Sequence, residues 1–470
     1  MKTISITAVL FTLSTLMLTA QTFTPLHYFA NSPGDGAYPQ GSLIQGPDGT
    51  LYGTTWGGGT NNLGTVFKIN PDGSGYRVLW SLPGSPGPET PYAGLVLGSN
   101  TLYGTSYNGG TNHNGTIFEV NTDGSNPQIV FNINAANNDG ANPISRLALG
   151  GNTLYGTTPI SGNGAGDGLV YSVNTGGGNF QQLKFFGTPG VNDSDGYTPE
   201  AGLLLAGNIL YGTTSAGGNG STNSGTVFKI NPGGTGFNVI TRFVGTAATV
   251  PSSDLIINGS TLYGTTQSAT NNGGGGTVFK VNTDGSGLQI LHIFANGLPN
   301  DGAFPSGPLV LSGNTLYGTT RGGQGTGQNG TVFAVNTDGS GFTLVHTFSP
   351  DGLNADGTSP YGGLVVGGGQ LYGTANSGGT SDHGVIFSIN FRSAIPTNLV
   401  YNADGSFSLS YLLGTNYLGT NYSYVLQAST NLNSGSWQPL ATNFATINLW
   451  QFTDTNSKSL PMRFYRVAEY

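Results

Sequence analysis

The sequence predicts an all-β protein whose main domain is a seven-bladed β-propeller, and three observations lead to this prediction. One unit of 51 to 56 residues occurs seven times along the chain. Each unit carries four short strand signals and no helical periodicity. A strand-like segment before the first unit matches the strand that the last unit lacks. Four strands repeated at a period of about 50 residues are typical of propeller blades.

The repeat is most visible in the string Leu-Tyr-Gly-Thr, whose tyrosines are Tyr52, Tyr103, Tyr155, Tyr211, Tyr263, Tyr317 and Tyr372. A proline stands 12 or 13 residues before each tyrosine. After each tyrosine, a glycine-rich loop leads to a run such as Gly-Thr-Val-Phe-Lys-Ile-Asn. We therefore expect strand A after the proline, strand B at Leu-Tyr-Gly-Thr, strand C at the Gly-Thr-Val-Phe run and strand D after the next turn. Short Gly/Asn/Asp turns would join them as an antiparallel meander.

The two ends of the repeated region predict how the ring closes. Residues 23–29 match strand D rather than strand A, whereas the seventh unit ends after strand C at Asn390. We expect the N-terminal strand to complete the seventh blade. A ring closed in this way has no exposed first or last blade.

The chain outside the repeats predicts two further segments. Residues 1–20 have a short positive start, an apolar stretch and small residues before Gln21, which is typical of a secretory signal peptide. The propeller is assigned to residues 21–392. Strand-like runs in residues 396–470 predict a small β-sandwich of the immunoglobulin or fibronectin-III type. We expect a secreted or surface-displayed monomer with no membrane span in its mature chain.

Composition excludes several classes of function. Charged residues are 7% of the chain and the net charge is −8, so no basic field attracts nucleic acid. The absence of cysteine excludes disulfides, thiolate metal sites and a cysteine nucleophile. We predict no cofactor and no metal site. Aspartates before glycine in the D–A loops are interpreted as turn residues rather than calcium ligands. They are Asp35, Asp139, Asp195, Asp301 and Asp356.

The repeat resembles the GloVer tandem-repeat family of bacterial surface proteins. The resemblance rests on Leu-Tyr-Gly-Thr-Thr, the following Gly-Gly, Gly-Thr-Val-Phe-Lys-Ile-Asn and Asp-Gly-Ala-x-Pro, and it covers roughly residues 22–392. It implies export and surface attachment through varied C-terminal anchors, and it implies no established reaction. The doubled glycine after strand B is also similar to that of kelch repeats.

One face of the propeller is the predicted functional face. The D–A and B–C loops share this face, and they are longer and more varied than the tight A–B and C–D turns. Aromatic rings among Asn, Thr and Gly suit a polysaccharide, because flat rings stack on sugars while polar tips meet hydroxyls. The candidate ligand-binding residues are Trp56, Tyr107, Tyr38, Tyr92, Tyr197, Phe304, Tyr361 and Arg321. The alternative is that these rings pack between neighbouring blades.

Three charged residues interrupt a pattern of small residues after the repeat proline. Arg146, Glu200 and Asp254 occur in three consecutive units, where most units have Gly, Ala or Ser. As catalytic candidates, Glu200 and Asp254 would be general acid and base for a glycosidic bond, with Arg146 nearby. The alternative is a salt bridge between blades in which Arg146 neutralises Glu200.

These observations predict a propeller that binds an extracellular ligand, a polysaccharide or another surface protein, through its D–A and B–C loops. The first alternative is a carbohydrate-active enzyme, a glycoside hydrolase or lyase, at the mouth of the central channel. The second alternative is a purely structural surface protein. Near-uniform repeats favour binding or structure, because an active site normally breaks the symmetry in one sector.

Overall fold

The computed structural model describes residues 22–162, 168–187, 193–218, 224–243, 248–269, 274–295, 301–322, 329–348 and 355–390, together with six strands between residues 395 and 469. Residues Phe23–Ile389 form one compact unit, and the C-terminal strands belong to a second unit that is described by itself. The predicted signal peptide, residues 1–20, lies outside the described residues.

The first unit contains seven four-stranded antiparallel blades, each in the order A-B-C-D. In blades 1 to 7, strand A is Ile44–Gln45, Val96–Leu97, Ala148–Gly150, Leu204–Ala206, Ile256–Asn258, Val310–Ser312 and Val365–Gly367. Strand B is Leu51–Thr55, Thr101–Ser106, Thr153–Thr158, Ile209–Thr214, Thr261–Thr266, Thr315–Gly322 and Gln370–Ala375. Strand C is Thr65–Ile69, Thr116–Asn121, Leu169–Asn174, Thr226–Ile230, Thr277–Asn282, Thr331–Asn336 and Val385–Asn390. Strand D is Arg77–Ser81, Gln128–Asn132, Gln181–Phe185, Asn238–Arg242, Gln289–Ile293, Thr343–Thr347 and Thr22–Tyr28.

The seventh blade is completed by the N-terminal strand, as predicted. Strand Thr22–Tyr28 pairs with Val385–Asn390, so the first described strand of the chain is the outer strand of the last blade. The N–H of Phe29 then donates a hydrogen bond to Gly384 O at 3.1 Å, which extends this pairing by one residue. The predicted seven-bladed propeller is confirmed.

The glycine of Leu-Tyr-Gly-Thr is required by an aromatic ring of the same blade. In blade 2, Gly104 lies opposite Phe118 across strands B and C. A Cβ at Gly104 would lie 2.5 Å from Phe118 Cζ and 2.9 Å from Leu95 Cδ2. In the other six blades the equivalent Cβ would meet the equivalent ring at 2.3 to 2.7 Å. Strand B therefore lacks a side chain here so that strand C can bury a ring over it.

Neighbouring blades are joined by apolar faces and by threonine hydrogen bonds. Between blades 1 and 2, Tyr52 shares a buried cluster with Leu102 and Phe118. Each fully buried Leu or Phe side chain contributes about 1.5–3 kcal/mol. The threonine of Leu-Tyr-Gly-Thr also donates a hydrogen bond to the next blade, as from Thr54 Oγ1 to Ala93 O at 2.8 Å. Equivalent bonds join Thr105 to Ser145, Thr157 to Ala201 and Thr319 to Gly362.

A second glycine, just before strand C, fits against the proline of the next blade. Gly64 has a φ of +101°, which disfavours any residue with a side chain, and a Cβ there would lie 2.6 Å from Pro91 Cδ. The contact recurs at all seven junctions, with corresponding distances of 2.5 to 2.8 Å. The other pairs are Gly115–Pro143, Gly168–Pro199, Gly225–Pro251, Gly276–Pro305, Gly330–Pro360 and, where the ring closes, Gly384–Pro39.

Short elements pair the D–A loop of a blade with its B–C loop. Gly36–Ala37 pairs with Gly57–Gly58, Pro88–Glu89 with Asn108–Gly109, Ala248–Thr249 with Ser268–Ala269, and Ala303–Pro305 with the long strand B of blade 6. Single bridges replace them at Ala141–Ile160, Tyr197–Ala216 and Thr358–Ser377. Two 3₁₀ helices, Ala135–Asn137 and Asp193–Asp195, lie in D–A loops.

The second unit contains two three-stranded antiparallel sheets. One has the order Ile395–Tyr401, Phe407–Leu412, Leu449–Asp454, and the other has the order Gln438–Phe444, Ser423–Ser429, Phe464–Glu469. Six strands fall where the sequence predicts a strand-rich segment. The predicted β-sandwich in residues 396–470 stays a prediction.

Gly384→Ala tests the contact that closes the ring. We expect the substitution to lower the free energy of unfolding by about 3 kcal/mol, because alanine disfavours this backbone conformation and its Cβ would collide with Pro39. Gly34→Ala is the matched control, since Gly34 has a φ of +93° but no atom lies within 4 Å of a Cβ there. Chemical denaturation of both variants measures the difference, and equal effects would contradict the assignment.

Tyr171→Phe tests the fit of the ring under strand B. Tyr171 stands where the other six blades have phenylalanine, and its buried hydroxyl has no hydrogen-bond partner among the described residues. Burial also raises the pKa of this hydroxyl. We expect the variant to be more stable by about 1 kcal/mol, because an unsatisfied buried hydroxyl is removed. The converse substitution, Phe228→Tyr, should destabilise blade 4 in the same denaturation assay; a stabilising effect there would refute the explanation.

Candidate functional site

A cavity of about 410 Å³ lies at one end of the central channel, on the face of the D–A and B–C loops. Strands A of neighbouring blades contact each other, as Ala148–Gly150 does with Leu204–Ala206, so the strands A line the channel. Most of the residues that line the cavity precede strand A in the sequence, and all seven repeats contribute to its wall. We call it the mouth cavity.

The wall is built from the same position of every repeat, the residue that follows the proline. These seven residues are Gln40, Tyr92, Ile144, Glu200, Ser252, Ser306 and Tyr361, and all of them line the mouth cavity. Further polar groups come from Ser42, Ser145, Ser253 and Gln267. The backbone position therefore recurs seven times around the ring, but the side chain at that position differs in chemistry between repeats.

The residue before each proline is strained in all seven repeats. Its φ lies between +51° and +60°, although six of the seven positions hold residues other than asparagine or glycine. The residues are Tyr38, Thr90, Asn142, Thr198, Val250, Phe304 and Ser359. In repeat 2, the Thr90 N–H donates to Leu63 O of the previous blade at 2.8 Å, and Tyr107 N–H donates to Thr90 O at 3.1 Å. Such strain persists where surrounding contacts fix the backbone, and it is concentrated at functional sites.

Arg146 and Asp254 form an ion pair that spans the mouth cavity from repeat 3 to repeat 5. Arg146 Nε lies 3.3 Å from Asp254 Oδ2. The other oxygen of Asp254 accepts a hydrogen bond of 2.6 Å from the Gly202 N–H, in the repeat between them. This pairing differs from the alternative interpretation of the sequence, in which Arg146 neutralises Glu200. Glu200 follows its proline directly, whereas Arg146 and Asp254 stand two positions further on, so the three residues are not equivalent.

Glu200 lines the cavity without a partner. Among the described residues none donates a hydrogen bond to its carboxylate or forms an ion pair with it. Burial raises the pKa of Glu200 above its ordinary value. An unpaired, partly desolvated carboxyl in a concave site marks this sector of the ring as the place where function departs from the repeat.

The aromatic candidates divide into cavity residues and supporting residues. Tyr92, Tyr107 and Tyr361 line the mouth cavity, with Tyr92 and Tyr107 in edge-to-face contact at 5.2 Å between ring centroids. Trp56 is stacked between Tyr38 at 5.1 Å and Tyr92 at 6.3 Å, and its Nε1 is buried. Trp56 and Tyr38 therefore support the cavity tyrosines, as the packing alternative expects of such rings.

The remaining three candidates, Arg321, Phe304 and Tyr197, lie outside the cavity wall. The Arg321 guanidinium lies over Phe304 at 5.6 Å and Tyr361 at 5.8 Å, so it forms cation–π contacts with both rings. Tyr197 is 9% exposed and packs in a core cluster with Phe186 and Phe228. This ring is therefore buried rather than exposed, and a bridge between Tyr197 and Ala216 joins its loop to the B–C loop of the same blade.

The structure also joins residues that the sequence analysis did not connect. His27 Nε2 lies 3.1 Å from Asp35 Oδ1, and the His27 ring stacks on Tyr76 of the next blade at 3.6 Å. Burial opposes ionisation of Asp35, but hydrogen bonds from His27, Tyr76 and the Ala30 N–H outweigh it and lower the pKa of Asp35. Related sets are His292–Asp301–Phe342, His346–Asp356–Phe23 and Lys184–Asp195–Phe237.

These sets link neighbouring blades at the outer strand. Each one combines a histidine or lysine of strand D, the aspartate of the following D–A loop and a ring in or just before the next strand D. A signal was present in the sequence, namely a His or Lys 8 to 11 residues before Asp-Gly. The interpretation of Asp35, Asp195, Asp301 and Asp356 as turn residues was therefore incomplete.

Fold and site together define the class: a β-propeller built from seven tandem repeats, with a variable cavity at the mouth of its channel. The chain belongs to the family of the Gloeobacter/Verrucomicrobia repeat, whose model matches residues 7–222 and 216–436. The GloVer resemblance is thereby confirmed. The comparison with curated proteins found no match.

Solved structures with similar folds have little sequence in common with this chain. An oligogalacturonate lyase from Vibrio parahaemolyticus has a TM-score of 0.50 and 10% identity, covering 79% of this chain and 97% of the lyase. A GH74 xyloglucanase from Xanthomonas campestris has a TM-score of 0.47 and 11% identity, covering 84% and 60%. A chain of a nidogen/laminin complex has a TM-score of 0.41 and 14% identity, covering 68% and 97%. Identities this low show the fold alone.

Membrane-spanning helices and metal-binding clusters are both absent from the described residues. No helix in that part of the chain is long and apolar enough to cross a membrane. The same residues contain no group of three or more His, Cys, Asp or Glu side chains placed to hold a metal ion.

Val250→Asn tests the strain before the proline. Val250 is β-branched at a φ of +60°, whereas repeat 3 has Asn142 at the same position. We expect the variant to be more stable by about 1 kcal/mol, because asparagine tolerates the left-handed region better than valine. Asn142→Val should have the opposite effect and also loses the hydrogen bond from Asn142 Nδ2 to Tyr107 O. Urea denaturation measures both, and a destabilised Val250→Asn variant would show that the strain is not relieved.

Proposed function

We propose that this protein is an exported propeller that binds a polysaccharide at the mouth cavity. The observation that carries the proposal is the combination, in one concave site, of aromatic rings with many uncharged polar groups. Tyr92, Tyr107 and Tyr361 supply rings, while serine and glutamine side chains from four repeats supply hydrogen-bonding groups. Sugars present the same combination, since their ring faces are apolar and their edges carry hydroxyls.

The dimensions of the site support a sugar ligand. A cavity of about 410 Å³ falls within the range of small-molecule sites and would hold one or two sugar units. It opens onto the loop face, so the remainder of a polymer could leave the cavity along that face. Tyr92 stacks on Trp56, which in turn stacks on Tyr38, so the Tyr92 ring would lose little conformational freedom on binding.

Export is part of the proposal. It is supported by the signal-peptide pattern of residues 1–20 and by the low content of charged residues. We further propose that residues 396–470 form a β-sandwich that docks or displays the propeller. Both ideas rest on the sequence and on membership in a repeat family.

A glycoside-cleaving enzyme is the second candidate, and one observation favours it. Glu200 and Asp254 both line the cavity in different environments. Asp254 accepts hydrogen bonds from Arg146 and Gly202, whereas Glu200 has no partner among the described residues and a pKa raised by burial. A carboxyl with a raised pKa suits a general acid. Binding is preferred because Asp254 is already engaged by two donors.

Glycan binding by the full chain tests the proposal. We expect the protein to bind at least one polysaccharide on an array, and Tyr107→Ala or Tyr361→Ala to weaken that binding about ten-fold, because each removes a ring from the cavity. Phe185→Ala is the matched control, since Phe185 is an exposed aromatic on strand D that does not line the cavity.

Three results would change the assignment. Loss of binding in Phe185→Ala alone would indicate that the ligand binds at the outer edge of blade 3 instead. Release of shorter sugars by the wild type, abolished in Glu200→Gln, would establish the enzyme instead. A folded sample that binds no glycan would contradict the proposal and favour a protein partner or a structural role.

A further inference from the structure

The wall of the mouth cavity carries two acidic side chains and one basic side chain. Arg146, Glu200 and Asp254 are the charged residues of its wall. Arg146 is occupied by Asp254, and Arg321 behind the wall is occupied by the rings of Phe304 and Tyr361. Glu200 is the charged group of the wall for which the described residues supply no partner. The cavity therefore carries one unmatched negative charge.

We infer that the mouth cavity selects a glycan that carries a free primary amine, an amino sugar whose ammonium group pairs with Glu200. This inference rests on the proposed glycan-binding function and names its ligand class. A partly buried carboxylate without a partner is unfavourable in the free protein, and a ligand ammonium would supply both the missing charge and the missing hydrogen-bond donors. A neutral sugar would leave that carboxylate desolvated and unpaired.

The rest of the wall fits such a ligand. Tyr92, Tyr107 and Tyr361 present π systems that attract a cation as well as the apolar face of a sugar ring. Ser252 and Gln267 of repeat 5 line the same wall as Glu200 of repeat 4 and offer partners for hydroxyls. Arg146 and Asp254 neutralise each other, so this pair adds no net charge for a ligand to match.

The position of Glu200 explains how this selectivity arises without disturbing the propeller. The residue after the proline differs in nearly every repeat and includes Gln, Tyr, Ile, Glu and Ser. The recurring inter-blade contacts are made by its neighbours, the proline and the strained residue before it. A single carboxylate can therefore occupy one of the seven positions at little cost to folding.

Two oligosaccharides with the same backbone test the inference. We would measure binding of the full chain to a β-1,4-linked glucosamine tetramer and to its fully N-acetylated form, which lacks the charge. We expect the amine form to bind at least ten-fold more tightly. Glu200→Gln and Glu200→Ser should remove this difference, and serine is already present at the equivalent position of repeats 5 and 6. Glu119→Gln, which removes a carboxylate on strand C outside the cavity, should retain it.

The outcomes separate the inference from the proposed function. Equal affinity for the two tetramers, or a preference that survives Glu200→Gln and Glu200→Ser, would overturn the amine assignment while leaving glycan binding intact. A lysine tetrapeptide that binds as tightly as the glucosamine tetramer would overturn the assignment to a sugar. Binding of neither tetramer, with another glycan bound at the tyrosines, would overturn the inference alone. No glycan bound at all would contradict the proposed function as well.

Discussion

The contact between a glycine and the proline of the next blade is the constraint on which the rest of the propeller depends. The glycine before strand C has a φ near +100° in most blades and has no Cβ, so the pyrrolidine ring packs directly against its backbone. The same junction carries a hydrogen bond between the strained residue and the previous loop. Seven copies of this contact set the angle and spacing between blades. Gly384 and Pro39 make the copy that closes the ring.

This constraint also determines where function can vary. The proline and the residue before it make the recurring contacts of the junction, whereas the residue after the proline lines the mouth cavity. Glu200 is the charged residue at that position, and Arg146 and Asp254 add a paired charge two residues further along their own loops. A symmetrical scaffold thus carries an asymmetrical site. Symmetry is broken by side chains, while the backbone stays repetitive.

Most of the fold was predictable from the sequence, whereas most of the site was not. The Leu-Tyr-Gly-Thr period and the strand-D likeness of residues 23–29 predict seven blades and their closure, because each local pattern recurs seven times. Partners across the cavity have no such local signal. Arg146 and Asp254 stand 108 residues apart, and their pairing depends on the diameter of the channel. The burial of Tyr197 and the stacking of His27 on Tyr76 likewise depend on how neighbouring loops fold back.

The closing strand gives the chain a particular order of assembly. Strand Thr22–Tyr28 emerges before all other strands of the ring but hydrogen-bonds to Val385–Asn390, which is synthesised last. Pairing across more than 350 residues carries a large loop-closure entropy and is slow to form. Until the seventh repeat is present, the N-terminal strand has no blade to complete and the apolar faces of the first and sixth blades are uncovered, which invites association with other chains. An incomplete ring is therefore prone to association. In the finished ring, the first and last strands are hydrogen-bonded to each other, so neither end of the ring can fray by itself.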